Sequence, residues 1–353
     1  MEVYILLISI IILLGCFVAK KQKRIYCIII GLLLLLLIGC RNQTMGIYDT
    51  ERIYIPTYNK IKKIDIFELQ NYYNKDIAFH YITKIFIMFI DNPQLWLAFV
   101  ALPFILGTVI LIYKYSNNPI MSFILLLSLN FFGMSFTLIR HYIALGFILF
   151  SYEYLKEKEI KKFIISILIA GLFHKTALLF LVAYPLFHSI KFGKKSYLII
   201  VISFIFSILL GRQFLNFIIE FINEERFYIY LNSNSSLNLT NFVINFIILI
   251  SLNLYIKIFY NDELKPEING LLNLATFSCI CLIFTPILGE MYRLAMYFNI
   301  FYIILIPNVI SGPTKNLKAQ YLIHYLFYII SILYFLFFSL ENAKILPYKF
   351  FIK

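Results

Sequence analysis

The sequence predicts an all-α polytopic integral membrane protein, with residues 1–353 forming a single membrane domain. Three observations predict this class. Hydrophobic residues make up 61% of the chain, whereas only 14% of the residues are charged, well below the roughly 25% of a soluble domain. Apolar runs recur along the whole chain, enough for about 10–14 crossings of a bilayer, with twelve favoured. Lysines and arginines gather in the short segments between these runs, as they do in cytoplasmic loops.

Each apolar run is a predicted helix, because a segment that crosses lipid must satisfy its backbone hydrogen bonds internally. The runs cover residues 3–19, 25–40, 94–113, 119–139, 141–155, 163–173, 176–190, 196–211, 241–258, 269–288, 293–310 and 320–340.

Basic residues orient these helices. The cluster at 20–24 (KKQKR) places the first loop inside, so residues 41–93 form an extracytoplasmic loop with an interfacial segment. Residues 77–90 are apolar but short, and they contain His80 and Lys84. If they crossed the membrane, the basic segment 156–162 would lie outside. We therefore expect an interfacial or re-entrant helix there.

The remaining segments follow from the same orientation. Residues 163–190 are too few for two full crossings, so they predict two short arms that meet near His174. Residues 212–240 are a predicted second extracytoplasmic loop, with a surface helix over 214–230. This arrangement places four polar positions on the outer side of the membrane: Asp49, Arg140, His174 and the Glu290/Arg293 pair.

Ionisable groups at the edge of the hydrocarbon are costly and therefore indicate function. Arg140 begins a predicted helix, and its planar guanidinium suits a phosphate or a carboxylate. The alternative is an interfacial arginine that extends its charge into water. His174 interrupts an apolar stretch and could act as a general base, or it could be a structural histidine at a helix break. Lys175 beside it favours an anion site.

Two further positions have a functional and a structural interpretation. Arg293 could join Arg140 around an anion, or it could form an i, i+3 ion pair with Glu290. Asp49 could contact substrate or order the outer loop, or it could cap a helix.

Several motifs are absent from the sequence. It has no Asp-x-Asp, no phosphate-binding loop with Gly-Lys-Ser/Thr and no His-Glu-x-x-His. We therefore predict no metal and no cofactor. The net charge of +13 resides in loop lysines and not in a basic helix with interleaved aromatics, so nucleic acid is not a predicted partner.

Five stretches in a fixed order resemble the EpsG/Wzy family of bacterial polysaccharide polymerases (O-antigen, capsule and exopolysaccharide). They are Gly46-x-x-Asp49-Thr50-x-x-x-Tyr54, Lys75-Asp-Ile-Ala-Phe-His80, Arg140-His-Tyr-Ile-Ala144, Ala170-Gly-Leu-Phe-His174-Lys-Thr-Ala177 and Arg293-Leu-Ala-Met-Tyr297.

The resemblance implies a metal-independent membrane glycosyltransferase of GT-C-like architecture. It would polymerise oligosaccharide repeat units carried on undecaprenyl pyrophosphate, at the outer face of the bacterial cytoplasmic membrane. His174, Arg140 and Arg293 would be catalytic, and substrate would also contact Asp49, Lys175, Glu290 and His141. The lipid-linked oligosaccharide and the bilayer are the implied partners, with a chain-length regulator protein as a further candidate.

Two other classes stay open from the sequence. A flippase or transporter of lipid-linked oligosaccharide would be expected to show internal repeats and charges at mid-membrane. An O-antigen ligase or a sugar-modifying acyltransferase would share the combination of arginine and histidine, so the residues alone discriminate poorly between these enzymes.

Overall fold

Helices account for the regular structure in the computed structural model, which describes residues 1–19, 21–47, 49–189, 191–222, 239–260, 264–314 and 317–351. Within these ranges the β contact is an isolated antiparallel bridge between Arg41 and Phe350. Backbone contacts divide the chain into two compact units, Met1–Leu178 with Leu317–Lys353, and Leu179–Asn316. Each unit is described by itself below. The all-α class predicted from the sequence is confirmed.

The first unit contains most of the helices. They are α1 (Glu2–Leu14, continued by a π-helical stretch, Gly15–Ala19), α2 (Lys23–Gly39), a π-helix (Thr50–Tyr54) that leads into α3 (Ile55–Lys63), a 3-10 turn (Ile66–Glu68), α4 (Leu69–Tyr72), α5 (Ile77–Phe89), α6 (Pro93–Tyr115), α7 (Pro119–Ser128), α8 (Phe131–Met134), α9 (Ile139–Lys156) and α10 (Ile160–Phe173). A 3-10 helix (Lys175–Val182) follows α10.

The second unit and the C-terminal segment complete the chain. They contain α11 (Ala183–Ser189), α12 (Lys194–Ile222), α13 (Thr240–Phe259), α14 (Pro266–Ile283), α15 (Met291–Asn299) and α16 (Tyr302–Ile310), followed in the first unit by α17 (Leu317–Tyr334), a π-helical stretch (Phe335–Ser339) and α18 (Leu340–Asn342).

Local sequence explains where two central helices begin. The Asn92 side chain accepts hydrogen bonds from two backbone amides at the start of α6, and Pro93 occupies the first turn. At the start of α7 the Asn118 side chain accepts from the Met121 amide, and Pro119 occupies the first turn. An asparagine cap satisfies amides that have no partner within the helix, and proline fits the first turn because it has no amide to lose.

Two glycines allow α6 and α9 to pack closely. A Cβ on Gly107 would lie 2.8 Å from the carbonyl oxygen of Gly146, and a Cβ on Gly146 would clash with the backbone at Pro103. Without an appreciable hydrophobic drive between helices in lipid, small residues permit the close approach that holds them together. This contact fixes α9, and α9 carries Arg140 at its N-terminal end.

Among the described residues, seven helices are long and apolar enough to cross a bilayer. They are Glu2–Ala19, Pro93–Tyr115, Lys194–Phe217, Thr240–Phe259, Pro266–Ile283, Met291–Ile310 and Leu317–Asn342. The chain is therefore a multi-pass membrane protein. The favoured count of twelve crossings stays a prediction, since several predicted runs form helices shorter than a full span.

Some predicted boundaries differ from the structure. The run 119–139 was predicted as one helix, but α7 ends at Ser128 and Asn130 adopts a left-handed conformation (φ 65°) that breaks the helix before α8. The second outer loop was predicted from residue 212, whereas α12 continues as one helix to Ile222. Residues 223–238 of the predicted loop and surface helix lie outside the described residues.

Two other predictions agree with the structure. Residues 77–90 were expected to form a short helix, and α5 spans Ile77–Phe89. The chain was expected to break near His174; α10 ends at Phe173, and His174 itself is extended (φ −155°, ψ 109°). The break at His174 leaves backbone carbonyl groups at the end of α10 without partners inside the helix.

The segment after α2 is fastened to the C-terminal tail. The Asn42 amide donates to the Lys349 carbonyl, and the Phe351 amide donates to the Cys40 carbonyl. The Gly46 amide donates to the Lys344 carbonyl. Gly46 has φ +94°, which favours glycine, and a Cβ there would lie 2.8 Å from the Thr137 hydroxyl. These bonds position the backbone that leads to Asp49 and the π-helix.

Candidate functional site

An ion pair between α9 and the residue before α5 forms the centre of the candidate site. Nη1 of Arg140 lies 2.7 Å from a carboxylate oxygen of Asp76. The two side chains are 28% and 11% exposed, so the pair is mostly withdrawn from water yet reachable. Sixty-four residues of chain separate the partners. The pair therefore depends on the folded arrangement of the first unit and not on local helix geometry.

Asp76 owes its position to a sharp turn. Its φ of 50° is left-handed, a conformation that aspartate tolerates better than most residues, and α5 begins immediately after it. One helical turn further on, Nδ1 of His80 lies 3.2 Å from the Asp76 carbonyl oxygen. The His80 ring also stacks on Tyr73, with ring centroids 4.0 Å apart. These contacts hold an imidazole beside the Arg140–Asp76 pair.

The charge state of this cluster follows from burial and from neighbouring charges. Burial lowers the pKa of His80, and the positive charge of Arg140 lowers it further. Burial alone would also lower the pKa of Arg140, but Tyr54, Asp76 and Asp49 raise it above its usual value. At neutral pH the site therefore combines a charged guanidinium with a neutral imidazole.

The π-helix Thr50–Tyr54 forms another wall of the site. The Arg140 backbone amide donates to the Tyr54 hydroxyl at 3.5 Å, and the guanidinium carbon lies 5.9 Å from the centre of the Tyr54 ring. The Thr50 hydroxyl donates to the Phe136 carbonyl at 2.6 Å. Asp49, a predicted site residue, directly precedes this π-helix and contributes to the field at Arg140. The structure thus brings Asp49 and Arg140 into one region.

The two predicted histidines are also brought together. The rings of His141 and His174 lie 5.4 Å apart, nearly perpendicular to each other. His141 is 2% exposed, and His174 is partly buried. Since His141 directly follows Arg140, the break at His174 lies next to the N-terminal end of α9. Lys175 lies on the other side of this break, where its side chain is exposed.

The remaining two predicted residues lie in the second unit. Nη1 of Arg293 lies 2.9 Å from a carboxylate oxygen of Glu290, an i, i+3 pair with side chains 34% and 20% exposed. The local pairing considered from the sequence is therefore present. The joint action of Arg293 and Arg140 on one anion stays a prediction, because the two arginines belong to different units.

The sequence analysis did not select Asp76, Tyr54 or His80, although two of the family-like stretches contain them. The spacing of Asp76 and His80 was an available signal, because residues four apart share a helix face. Arg41 was missed as well. It directly follows the apolar run of α2, the same kind of position that drew attention to Arg140, and its side chain is fully buried.

The described residues contain no group of three or more His, Cys, Asp or Glu side chains arranged to hold a metal ion. The site combines a guanidinium, its paired carboxylate and imidazole rings at the N-terminal end of α9. Such a site can bind an anionic group and can accept a proton beside it.

These features define a polytopic α-helical membrane protein with a site of paired charges and imidazole rings built on short and interrupted helices. The chain belongs to the EpsG family, whose family model matches residues 24–350. The family is associated with polysaccharide biosynthesis in membranes and, in general, with polysaccharide polymerases. No curated protein and no solved structure matched the chain.

Proposed function

We propose that this protein polymerises oligosaccharide repeat units that are carried on undecaprenyl pyrophosphate, at the outer face of the bacterial cytoplasmic membrane. The observation that carries the proposal is the half-buried Arg140–Asp76 pair, with the His141 and His174 rings at the same end of α9. Membership in the EpsG family supports a role in polysaccharide biosynthesis.

The donor in this reaction has a lipid diphosphate as its leaving group. Negative charge grows on the diphosphate as the bond between the sugar C1 and the phosphate oxygen breaks. Arg140 is suited to stabilise that charge, because a guanidinium has five N–H donors and Asp76 engages one of its nitrogens. Asp76 would act as a positioning residue that holds the fork towards substrate. Arg293, with Glu290 beside it, would provide a second cation if the two units bring it to the same diphosphate.

The acceptor is a hydroxyl group of the next repeat unit. Its oxygen forms the new bond to C1, the electron pair of the broken bond leaves with the diphosphate, and the hydroxyl proton passes to the imidazole of His174. His141 contacts the His174 ring and would orient it. Asp49 and Lys175 would contact sugar or phosphate at the edge of the site. The reaction needs no metal in this scheme.

Replacement of Arg140 by lysine tests the proposal. Arg140→Lys keeps the charge but loses the planar fork, so we expect at least a tenfold loss of long chains when this variant replaces the wild-type gene. Arg24→Lys, at an exposed arginine early in α2, is the matched control and should produce wild-type chains. Gel analysis of surface glycan is the measurement.

The glycan pattern after gene deletion separates the three candidate classes. Loss of a polymerase leaves single repeat units on the surface. Loss of a flippase leaves no surface glycan, and loss of a ligase leaves long chains that never reach their final acceptor. Full-length chains from Arg140→Lys, or either of the last two patterns, would contradict the proposal.

His174→Gln provides a second and independent test. Glutamine keeps hydrogen bonding but cannot take up a proton at neutral pH, so chain formation should fall by about 100-fold. The melting temperature of the purified protein should change little, since His174 is only partly buried. A parallel loss of folding and of polymer would indicate a structural histidine instead.

A further inference from the structure

Arg41 is a fully buried cation without an anionic partner among the described residues. Its side chain is 0% exposed. Nη2 donates to the Thr50 hydroxyl at 3.3 Å, and the guanidinium lies over the Phe136 ring at 4.5 Å. Nε and Nη1 make no hydrogen bond. Burial lowers the pKa of Arg41, yet a guanidinium keeps its proton at neutral pH, so proton loss cannot relieve the buried charge.

Such a group is costly for the fold. A charge withdrawn from water needs an opposite charge or a full set of hydrogen bonds, and one weak bond to a neutral hydroxyl with one aromatic ring supplies neither. By contrast, Arg140 in the same unit is paired with Asp76. The sequence places no carboxylate next to Arg41 within the first turn after α2.

A small cavity lies against the Arg41 side chain. It is lined by Arg41 and by residues of α2, α6 and α9, with Ser135 and Tyr142 as its polar members. The cavity volume is about 10 Å³, which is room for a single water-sized occupant. A chloride ion is slightly larger than a water molecule and would require a small outward shift of the lining side chains, whereas a phosphate group or a sugar would require the helices to move apart.

We propose that this cavity is an internal binding site for one monatomic anion of the chloride class, held by Nε and Nη1 of Arg41. The anion supplies the missing negative charge, and Tyr142 lines the same cavity. The proposal rests on two independent observations: the unpartnered donors of a buried guanidinium and an adjacent space for one small occupant.

The anion site is connected to the Arg140 cluster. Arg41 bonds to Thr50, and Thr50 lies one turn from Tyr54, whose hydroxyl accepts from the Arg140 amide. The same Thr50 hydroxyl donates to Phe136, shortly before α9 begins. An anion that fixes the Arg41 side chain thus stabilises the π-helix wall of the functional site. This coupling is a structural role and does not depend on the proposed polymerase activity.

A chloride titration of the full-length protein in detergent tests the proposal. Gluconate replaces chloride at constant ionic strength, and the melting temperature is the readout. We expect a saturable rise of roughly 5 °C for the wild type at a chloride concentration far above the dissociation constant. Arg41→Met should abolish the rise. Arg24→Met, which removes an exposed arginine, should keep it in full.

Two further measurements cover the case in which Arg41→Met does not fold. Ala101→Leu fills the cavity while retaining Arg41, so the dissociation constant for chloride should rise at least tenfold. On the wild type, the chloride NMR signal should broaden and should sharpen again when bromide competes. No saturable chloride effect in the wild type, or an equal effect in Arg41→Met, would overturn the proposal. A shift with phosphate and none with chloride would overturn the size argument.

Discussion

Two arginine–carboxylate pairs of similar length are built in opposite ways. Arg293 and Glu290 lie three residues apart at the start of α15, so their 2.9 Å contact follows from the helix itself. Arg140 and Asp76 are 64 residues apart, and their 2.7 Å contact exists only because α5 and α9 are held in place by the fold. A local pair depends on the geometry of one helix turn, whereas a long-range pair depends on the arrangement of several helices.

The two pairs should differ most when one carboxylate is neutralised at a time. Asp76→Asn leaves Arg140 mostly buried without its paired carboxylate, so we expect a loss of stability of about 2 kcal/mol, less than for a fully buried pair. Polymer should fall by about tenfold. Glu290→Gln should cost under about 0.5 kcal/mol, because ion pairs three residues apart on one helix contribute little. Thermal unfolding in detergent and glycan gels measure the two effects.

Equal destabilisation by Asp76→Asn and Glu290→Gln would mean that the long-range pair contributes no more to the stability of the fold than the local pair. Asp76→Glu is the matched control, since it keeps the charge on a longer side chain. It should recover most of the stability but less of the polymer, because the position of the guanidinium would change.

Double-mutant cycles should reveal a smaller difference, in the coupling energies of the two ion pairs. Replacing Arg140 and Asp76 singly and together should give a coupling energy of about 1–2 kcal/mol, since both partners are mostly shielded from water. The corresponding cycle on Arg293 and Glu290 should give about 0.3–0.5 kcal/mol. Raising the salt concentration should weaken the second value more than the first. Identical coupling energies in the two cycles would contradict this expectation.

The smallest expected effect is a pH dependence that belongs to the first pair alone. The pKa of His80 is lowered by burial and by Arg140. The unfolded chain therefore takes up a proton near pH 6.5 while folded His80 stays neutral, and stability falls as the pH drops below that value. Between pH 7 and pH 5 the melting temperature should drop by about 2 °C or more.

His80→Gln should flatten that part of the pH profile, since glutamine does not titrate. If the variant retains the wild-type slope, His80 is not the group responsible. Measurements on Asp76→Asn would add a further check, because changes at that residue affect the position of Arg140 and hence the field at His80.

The comparison also shows what could be predicted before the fold was known. The Glu290–Arg293 pair could be predicted from its spacing, and the break at His174 from the short arms on either side of it. The interruption after Ser128 could not, because Asn130 stands inside an apolar run whose composition suits a continuous helix. The contact between His141 and His174 needed the packing of α9 against α10. Residues from four of the five family-like stretches, all in the first unit, come together only after those helices pack.

Composition, periodic apolar runs and loop lysines by themselves determined that this chain is an all-helical membrane protein, and the order of its motifs pointed to the EpsG family. Those properties are local, since each span must satisfy its own backbone hydrogen bonds in lipid. The tertiary structure alone decided that Asp76 holds Arg140 and that Arg41 is buried with no carboxylate partner in the described part of the chain. Both depend on contacts between segments far apart in sequence, which no local pattern encodes.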